Sequence, residues 1–397
     1  MKAKILVTGL VLVTVATVVL YPSLRGNAKA VAVQPTPTAL PAQTARVEAV
    51  FVLDTTGSMS GLIAAAKEKI WSIASTLSQA EQTPEIKIGL VAYRDRGDAY
   101  VTKTVDLSAD LDSMYATLMD FSADGGGDTP ESVNQALYDA VNGMSWSKDA
   151  GTYKVVFLVG DAPPHMDYQD DHKFPEIMAA AAARGIVVNT IQCGNMHDTV
   201  SPWQQIASLG GGRYFTVEQS GSAVAVATPY DKKIATLAAE LDATRLYYGS
   251  AKERKAMAAK VEATEKVHEA ASPAAQARRG AFNASASGEA NFVGNKDLVH
   301  DVTSGRVDLA AVAPADLPEP LVRLSADERE KVVAETAERR EELRQRIGAL
   351  AKERDEFIAQ KVKEQGGAKD SLDQQLYDAV RSQAAPKGLK YEGGPKY

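Results

Sequence analysis

One cysteine, Cys193, and five histidines in 397 residues leave little room for soft-ligand chemistry. An internal disulfide framework, a cysteine zinc cluster and an iron–sulfur centre are excluded, so a metal has to be sought among oxygen ligands. Blocks of Lys or Arg are missing too. With 44 basic against 51 acidic residues, a net charge of −7, nothing favours a polyphosphate partner, and nucleic acid is not expected. The chain contains no phosphate-cradling G-x-x-x-x-G-K-[ST], no G-x-S-x-G nucleophile elbow and no H-E-x-x-H zinc helix. What is plentiful is core-forming material: 45% hydrophobic and 24% charged residues describe a folding, soluble protein rather than a disordered polyelectrolyte.

Met1-Lys2-Ala3-Lys4 precede an apolar stretch from Ile5 to Leu20, followed by Pro22 and a polar segment closing on Ala28-Lys29-Ala30. A charged head, an apolar middle and a small-x-small end predict a signal peptide over 1–30, cut after Ala30, or the same segment retained as an anchor. The stretch falls short of the roughly 20 residues that span a bilayer comfortably. Either outcome exports the rest of the chain, so a periplasmic or secreted location is expected, with membrane attachment only through an uncleaved N-terminal segment. Residues 31–45, with Pro35, Pro37 and Pro41 among Thr, Ala and Gln, read as an extended linker.

From 46 to 226 strand and helix patterns alternate. Val47 to Leu53, Ile86 to Tyr93, Tyr153 to Val159, Ile186 to Gln192 and Arg213 to Val217 read as strands, two of them continuous apolar runs of the kind buried on both faces. Leu62 to Leu77, Leu111 to Phe121, Ser132 to Val141 and Phe174 to Ala183 have helical spacing. The alternation predicts an α/β domain with a doubly wound, mostly parallel sheet. Residues 227–324 are Ala-rich and partly helical. Residues 325–397 hold a long charged helix to about Gln365 and a tail; Leu343, Ile347, Leu350 and Phe357 mark one stripe, fit for packing on the domain's own flank or for a coiled coil.

In an open parallel sheet ligands gather beyond the carboxyl ends of the strands. Three loops there carry unusual chemistry: Asp54-Thr55-Thr56-Gly57-Ser58-Met59, Gly125-Gly126-Gly127-Asp128-Thr129-Pro130-Glu131, and Gly160-Asp161-Ala162-Pro163-Pro164. Alternate residues of an extended turn face one way, so Asp54, Thr56 and Ser58 can converge on one point. Carboxylates and hydroxyls with water make an all-oxygen site suited to magnesium, and with less demand on geometry to manganese or calcium. An ion held by so few charges stays electrophilic and accepts one more carboxylate from a partner. Taken singly, Ser58 and Thr129 also read as helix caps and Pro130 as a first helical residue.

Together the Asp-x-Thr-x-Ser turn, the Thr129 loop and the Asp161 loop resemble the metal-ion-dependent adhesion site of von Willebrand factor type A domains. The resemblance covers about Arg46 to Val226 and implies a Rossmann-like sheet, a divalent ion, and a protein partner whose Asp or Glu completes the coordination. It also implies Asp54, Thr56 and Ser58 as the first ligand set, Thr129 as the second-loop hydroxyl and Asp161 as the third-loop carboxylate. Thr56 stands where Ser is commoner and keeps the oxygen; Asp128, beside Thr129, is the alternative second-loop ligand.

The segment Tyr93 to Asp98 should leave the second strand at the same edge and line the rim. Its Arg96-Gly97-Asp98 is read as a turn rather than an integrin ligand. His165, Asp167, Asp170, Asp171 and His172 crowd the loop after Asp161, where solvated polar residues are the plain reading and a second cation site the sharper one. His197, His268 and His300 show no evident partner, and Cys193 reads as a small buried hydrophobe. The expected function is therefore extracytoplasmic, metal-dependent, non-enzymatic binding of a protein or peptide with an exposed acidic residue. A metal-dependent hydrolase or phosphotransferase and a metal-stabilised scaffold are the alternatives; the oligomeric state stays open.

Overall fold

The computed structural model describes residues 45–127, 129–217, 226–364 and 371–395. The expected leader at 1–30, nearly all of the linker, and Asp128 lie outside the described residues. Strands β1 (Arg46–Asp54), β2 (Glu85–Tyr93), β4 (Tyr153–Gly160), β5 (Ile186–Cys193) and β6 (Gly211–Val217) are parallel, and β3 (Thr102–Ser108) is antiparallel beside β2. The order β3-β2-β1-β4-β5-β6 is doubly wound, as expected. β3 is the strand that the pattern did not reveal. Its Thr-Lys-Thr-Val-Asp-Leu-Ser sequence has only two apolar residues, which suffices at a sheet edge where no second neighbour has to be met.

Period-two alternation in β1 divides the core. Val47, Ala49, Phe51 and Leu53 join one cluster, Val50 and Val52 the other. On the second face lie α3 (Val133–Tyr138, prolonged by a wider turn at Asp139–Gly143), α4 (Phe174–Ala183) and α5 (His197–Leu209). α5 was hidden by Pro202, which lies within the helix. It is the sixth of thirteen residues, where a proline removes one backbone bond and the helix continues on the remaining ones.

The first face is covered by α1 (Ser60–Leu77) and α2 (Leu111–Met119). It is extended by α7 (Ala251–Ala270), α8 (Pro273–Ala284) and the last helix, α12 (Leu372–Ala384), through Val267, Phe282, Leu376 and Val380. Trp71 of α1 sits between Tyr115 and Phe282, with ring centroids 5.5 and 6.0 Å away. Residues Thr44–Tyr397 accordingly cluster as one compact unit. Residues from both sides of position 226 share this cluster.

Between these helices run α6 (Asp231–Asp242), α9 (Glu289–Val293), α10 (Leu298–Thr303) and α11 (Ala326–Glu364), the long helix. Its stripe packs on the chain's own flank: Leu343 and Ile347 join Ile234, Leu237 and Phe292, and Phe357 meets Tyr230 edge to face. Two arginines share the buried side. Arg340 reaches Asp297 at 2.8 Å and Arg354 reaches Asp231 at 2.8 Å, each pair almost fully buried. His268 and His300 also find partners, Asp242 at 2.9 Å and Glu289 at 3.4 Å.

Candidate metal centre

The register of the sheet brings the loop residues together. Asp54, the last residue of β1, pairs with Tyr93, the last of β2, while Leu53 pairs with Val159 one residue before the end of β4. Three strand ends are level, and Asp161 follows directly. Gly160 is required by the resulting crowding: a Cβ there would lie 2.4 Å from the Tyr93 hydroxyl and 2.9 Å from Asp54 Cβ.

Thr56 is extended and folds back onto Asp54, its backbone N–H donating to Asp54 Oδ1 at 2.9 Å and its hydroxyl to the same oxygen at 2.6 Å. The Thr56 and Ser58 hydroxyls are 3.1 Å apart, and Ser58 donates to Asp161 Oδ1 at 3.0 Å. Thr55 turns the other way, donating to the Tyr93 carbonyl at 2.9 Å. The alternation read from the sequence thus unites Asp54, Thr56, Ser58 and Asp161 in one hydrogen-bonded chain. Thr129 does not join that chain; it is exposed on the second loop, before a cis peptide to Pro130.

The loops are braced from below. Arg94, buried, donates to the Thr55 carbonyl at 3.1 Å and the Ser122 carbonyl at 2.9 Å, and the Gly57 N–H donates to the Gly125 carbonyl at 3.1 Å. Asp98 accepts from the Gly126 N–H, and Gly125 adopts φ of +76° where a Cβ would meet the Asp98 carboxylate at 2.3 Å. Residues 93–98 therefore position the loops. The third loop hangs on α5, through Thr199 to the Asp161 carbonyl at 2.8 Å and Trp203 to the Ala162 carbonyl at 3.0 Å.

The crowded loop after Asp161 is otherwise engaged. Arg96 pairs with Asp170 at 2.9 Å and with Asp171, His172 stacks on Tyr138, and His165 lies 2.8 Å from Asp167 and 3.3 Å from Asp95. Asp95 in turn accepts from Ser132 and Tyr168. Arg96 already supplies the cation for Asp170 and Asp171, although Asp171 Oδ2 has no hydrogen-bond partner, and among the described residues no three His, Cys, Asp or Glu side chains converge there.

Glu131 was missed. As an acid entering an apolar helix it passes for an ordinary first-turn residue. The structure clamps it between loops, its N–H donating to the Pro163 carbonyl and its carbonyl accepting from the His165 N–H, and leaves its side chain 2% exposed. Burial first, then the charges of Asp54, Asp95, Asp98 and Asp161, push its carboxyl up to about 9. Burial likewise pushes Asp54 up to about 7 despite the Thr56 hydrogen bonds, and raises Asp161. Asp54 Oδ2, Glu131 Oε2 and the Tyr93 hydroxyl are buried without a hydrogen-bond partner. Among the described residues no three His, Cys, Asp or Glu side chains form a metal cluster, so the donor set is two carboxylates completed by hydroxyls. Orphaned buried acceptors beside hydroxyls fit a hard divalent cation.

Residues 48–219 match the von Willebrand factor A domain family. This segment is a von Willebrand factor A domain. The A domain occupies less than half of the chain, and the helical region lies beyond the match. An ariadne-like RING finger protein of Acanthamoeba polyphaga mimivirus is 25% identical over 201 residues, 46% of this chain but only 19% of the viral protein. Among solved structures, the SpRpn10 VWA domain is covered completely by 46% of this chain, at 10% identity and a TM-score of 0.34. Proximal thread matrix protein 1 from the mussel byssus, in a form with a zinc-occupied MIDAS motif, overlaps 44% of this chain and 42% of its own at 13% identity and a TM-score of 0.33.

Proposed function

We propose that the A domain holds one divalent cation, magnesium in the first place and manganese or calcium by the same oxygen chemistry, among Asp54, Thr56, Ser58 and Asp161. Thr129 supplies the second-loop hydroxyl, and an exposed Asp or Glu of a protein or peptide partner completes the coordination. The observation that carries this reading is Asp54, fully buried, with one carboxylate oxygen occupied by Thr56 and the other without a partner. An uncompensated buried carboxylate is costly, and a bound cation removes that cost while keeping the hydroxyls in use. Glu131 lies close enough to add to the field. The ion's role is to present positive charge to the partner, and no step of bond cleavage is assigned to it: von Willebrand factor A domains are generally interaction modules. The export-like Met1–Ala30 pattern supports a partner outside the cytoplasm.

Calorimetry on the full chain tests the reading. Magnesium or manganese should bind at one site, an acidic peptide should bind only with the metal present, and Asp54→Ala or Asp161→Ala should abolish both. Undiminished metal binding in both variants would refute the assignment. Metal binding with no effect on peptide capture would leave the ion as a scaffold.

A further inference from the structure

The opposite end of the sheet, remote from the metal centre in sequence and topology, has a cavity of about 660 Å³ where β4 and β5 begin. Four of its lining residues are cationic, Lys148, Lys154, Arg184 and Lys387, and no carboxylate is among them. In a chain of net charge −7 that is a local inversion of sign. Lys154 is 6% exposed, on the second residue of β4. The cations are fixed by neutral groups: Lys154 Nζ donates to the Arg184 carbonyl at 3.3 Å, Arg184 to the Val141 carbonyl at 2.6 Å, and Lys387 to the Ala150 carbonyl at 2.8 Å. Carbonyls hold such groups in place without cancelling their charge.

Two acids flank the cavity, Glu48 opposite Lys154 in the sheet register and Asp149, and both act on the charge of Lys154, so four cations face two carboxylates. Glu48 accepts from the Ser147 N–H at 2.8 Å, and Asp149 from the Gly151 N–H at 2.9 Å. Among the described residues none of the four cations has an ion-pair partner. One wall is the half-buried ring of Trp146, anchored through its N–H to the Ala140 carbonyl at 2.8 Å. The volume lies within the roughly 300–1,000 Å³ of small-molecule sites.

We propose that this cavity is a binding site for a small phosphate-bearing anion. Its oxygens meet Lys154, Arg184 and Lys387, and Trp146 offers a flat face to any organic body attached. Arg184 follows α4 and Lys387 belongs to the turn after α12, so a bound anion ties the C-terminal segment to the sheet. The site is independent of the metal reading, and its test is done without metal.

The full chain, in chelator and at constant ionic strength, is titrated with inorganic pyrophosphate and, separately, with adenosine monophosphate. Tryptophan fluorescence and calorimetry report binding. Trp71 and Trp203 are fully buried, which leaves Trp146 as the responsive reporter. Saturable one-site binding is expected, weakened about tenfold or more by Arg184→Ala and by Lys387→Ala, and unchanged in Asp54→Ala. Tighter binding of the nucleotide identifies a ligand with a ring on Trp146; tighter binding of pyrophosphate identifies a bare oxyanion. No saturable signal beyond that of chloride at equal ionic strength would overturn the proposal, as would binding that both variants leave intact. Neither substitution removes a buried side chain, so folding is not at stake.

Discussion

At the upper edge of the sheet Asp54, Asp161 and Glu131 are buried and pair with no Lys, Arg or His among the described residues, whereas at the junction of α2, α6, α7 and α8 Asp112 and Asp242 are buried around Arg279. Arg279 grips both oxygens of Asp112, at 2.7 and 2.5 Å, and reaches Asp242 at 2.7 Å. Thr264 and Asn291 add donors to Asp112, and His268 adds one to Asp242. Burial raises carboxyls in both places. At the junction the arginine overrides it, holding Asp112 well below the usual carboxylate range and, with His268 and Arg245, lowering Asp242; at the sheet edge the burial prevails, and Asp54 and Glu131 go up. The contrast teaches that the chain supplies its own cation where the acids cross-link helices and supplies none at the site proposed to take a divalent ion.

The largest effect should come from removing the built-in cation. Arg279→Met takes the two-pronged charge partner from buried Asp112 and leaves Asp242 only Arg245, at 3.5 Å, and His268. A loss of about 3–5 kcal/mol is expected, read from urea denaturation of the full chain. A loss below about 1 kcal/mol, as for an exposed pair, would mean that the junction is solvated and the contrast false.

The converse substitution at the sheet edge should act in the opposite direction. Asp54→Asn removes an uncompensated buried charge, so the metal-free protein should be at least as stable as the wild type while its magnesium affinity falls by about a hundredfold or more, since each tenfold is only about 1.4 kcal/mol. Denaturation in chelator and calorimetry with magnesium give the two numbers. A variant that is destabilised without metal and binds magnesium normally would make Asp54 a structural acid like Asp112.

That these two clusters would differ could be read only half-way from the sequence. The sheet-edge site was legible because its residues are local: Asp54, Thr56 and Ser58 lie in one turn, and a period-two loop orients all three. The junction was not, because Asp112 and Arg279 are 167 positions apart and each reads as a solvated residue of its own helix. Glu131 failed for the same reason, being buried by the third loop rather than by its neighbours. The sheet was legible from its apolar runs, except for the polar edge strand β3. The long helix was legible too, but its partner surface was not: no periodicity in α11 foretells that Arg340 and Arg354 lie on its buried side against Asp297 and Asp231.

A change of pH sharpens the comparison next. Asp54, raised from 3.8 to about 7, takes up a proton on folding, so its contribution is present in acid and lost as pH rises through about 7 in the metal-free protein. The shift corresponds to roughly 4 kcal/mol at most. Glu131 acts in the same sense at higher pH. Asp112, held low, does the reverse and is lost only in strong acid. A bound cation lowers the carboxyls of the sheet edge and cancels the loss. The difference in melting temperature between magnesium and chelator should therefore widen steadily from pH 5 to pH 8. A difference independent of pH would show that the ion does not touch the raised carboxyls.

The smallest expected effect separates Glu131 from Thr129. Glu131 is buried beside the carboxylates, with its carboxyl pushed up to about 9 so that a cation is needed to draw its charge out at neutral pH; Thr129 is exposed and neutral, and its hydroxyl stands outside the hydrogen-bonded chain. Glu131→Gln keeps the shape and removes the charge a bound cation would draw out, so magnesium affinity should fall by about tenfold while the metal-free protein, whose carboxyl is already protonated at neutral pH, changes little in stability. Thr129→Ala removes one neutral donor oxygen from a coordination shell in which water can take its place, and the fall should be only a few-fold, with stability unchanged. Thr129 has a second role in the proposed function, at the rim where a partner's carboxylate arrives. Its loss should therefore weaken capture of an acidic peptide more than it weakens magnesium binding, whereas Glu131→Gln should reduce the two in proportion. Parallel losses in both variants would place Thr129 with the loop scaffold and leave the second-loop ligand to Glu131.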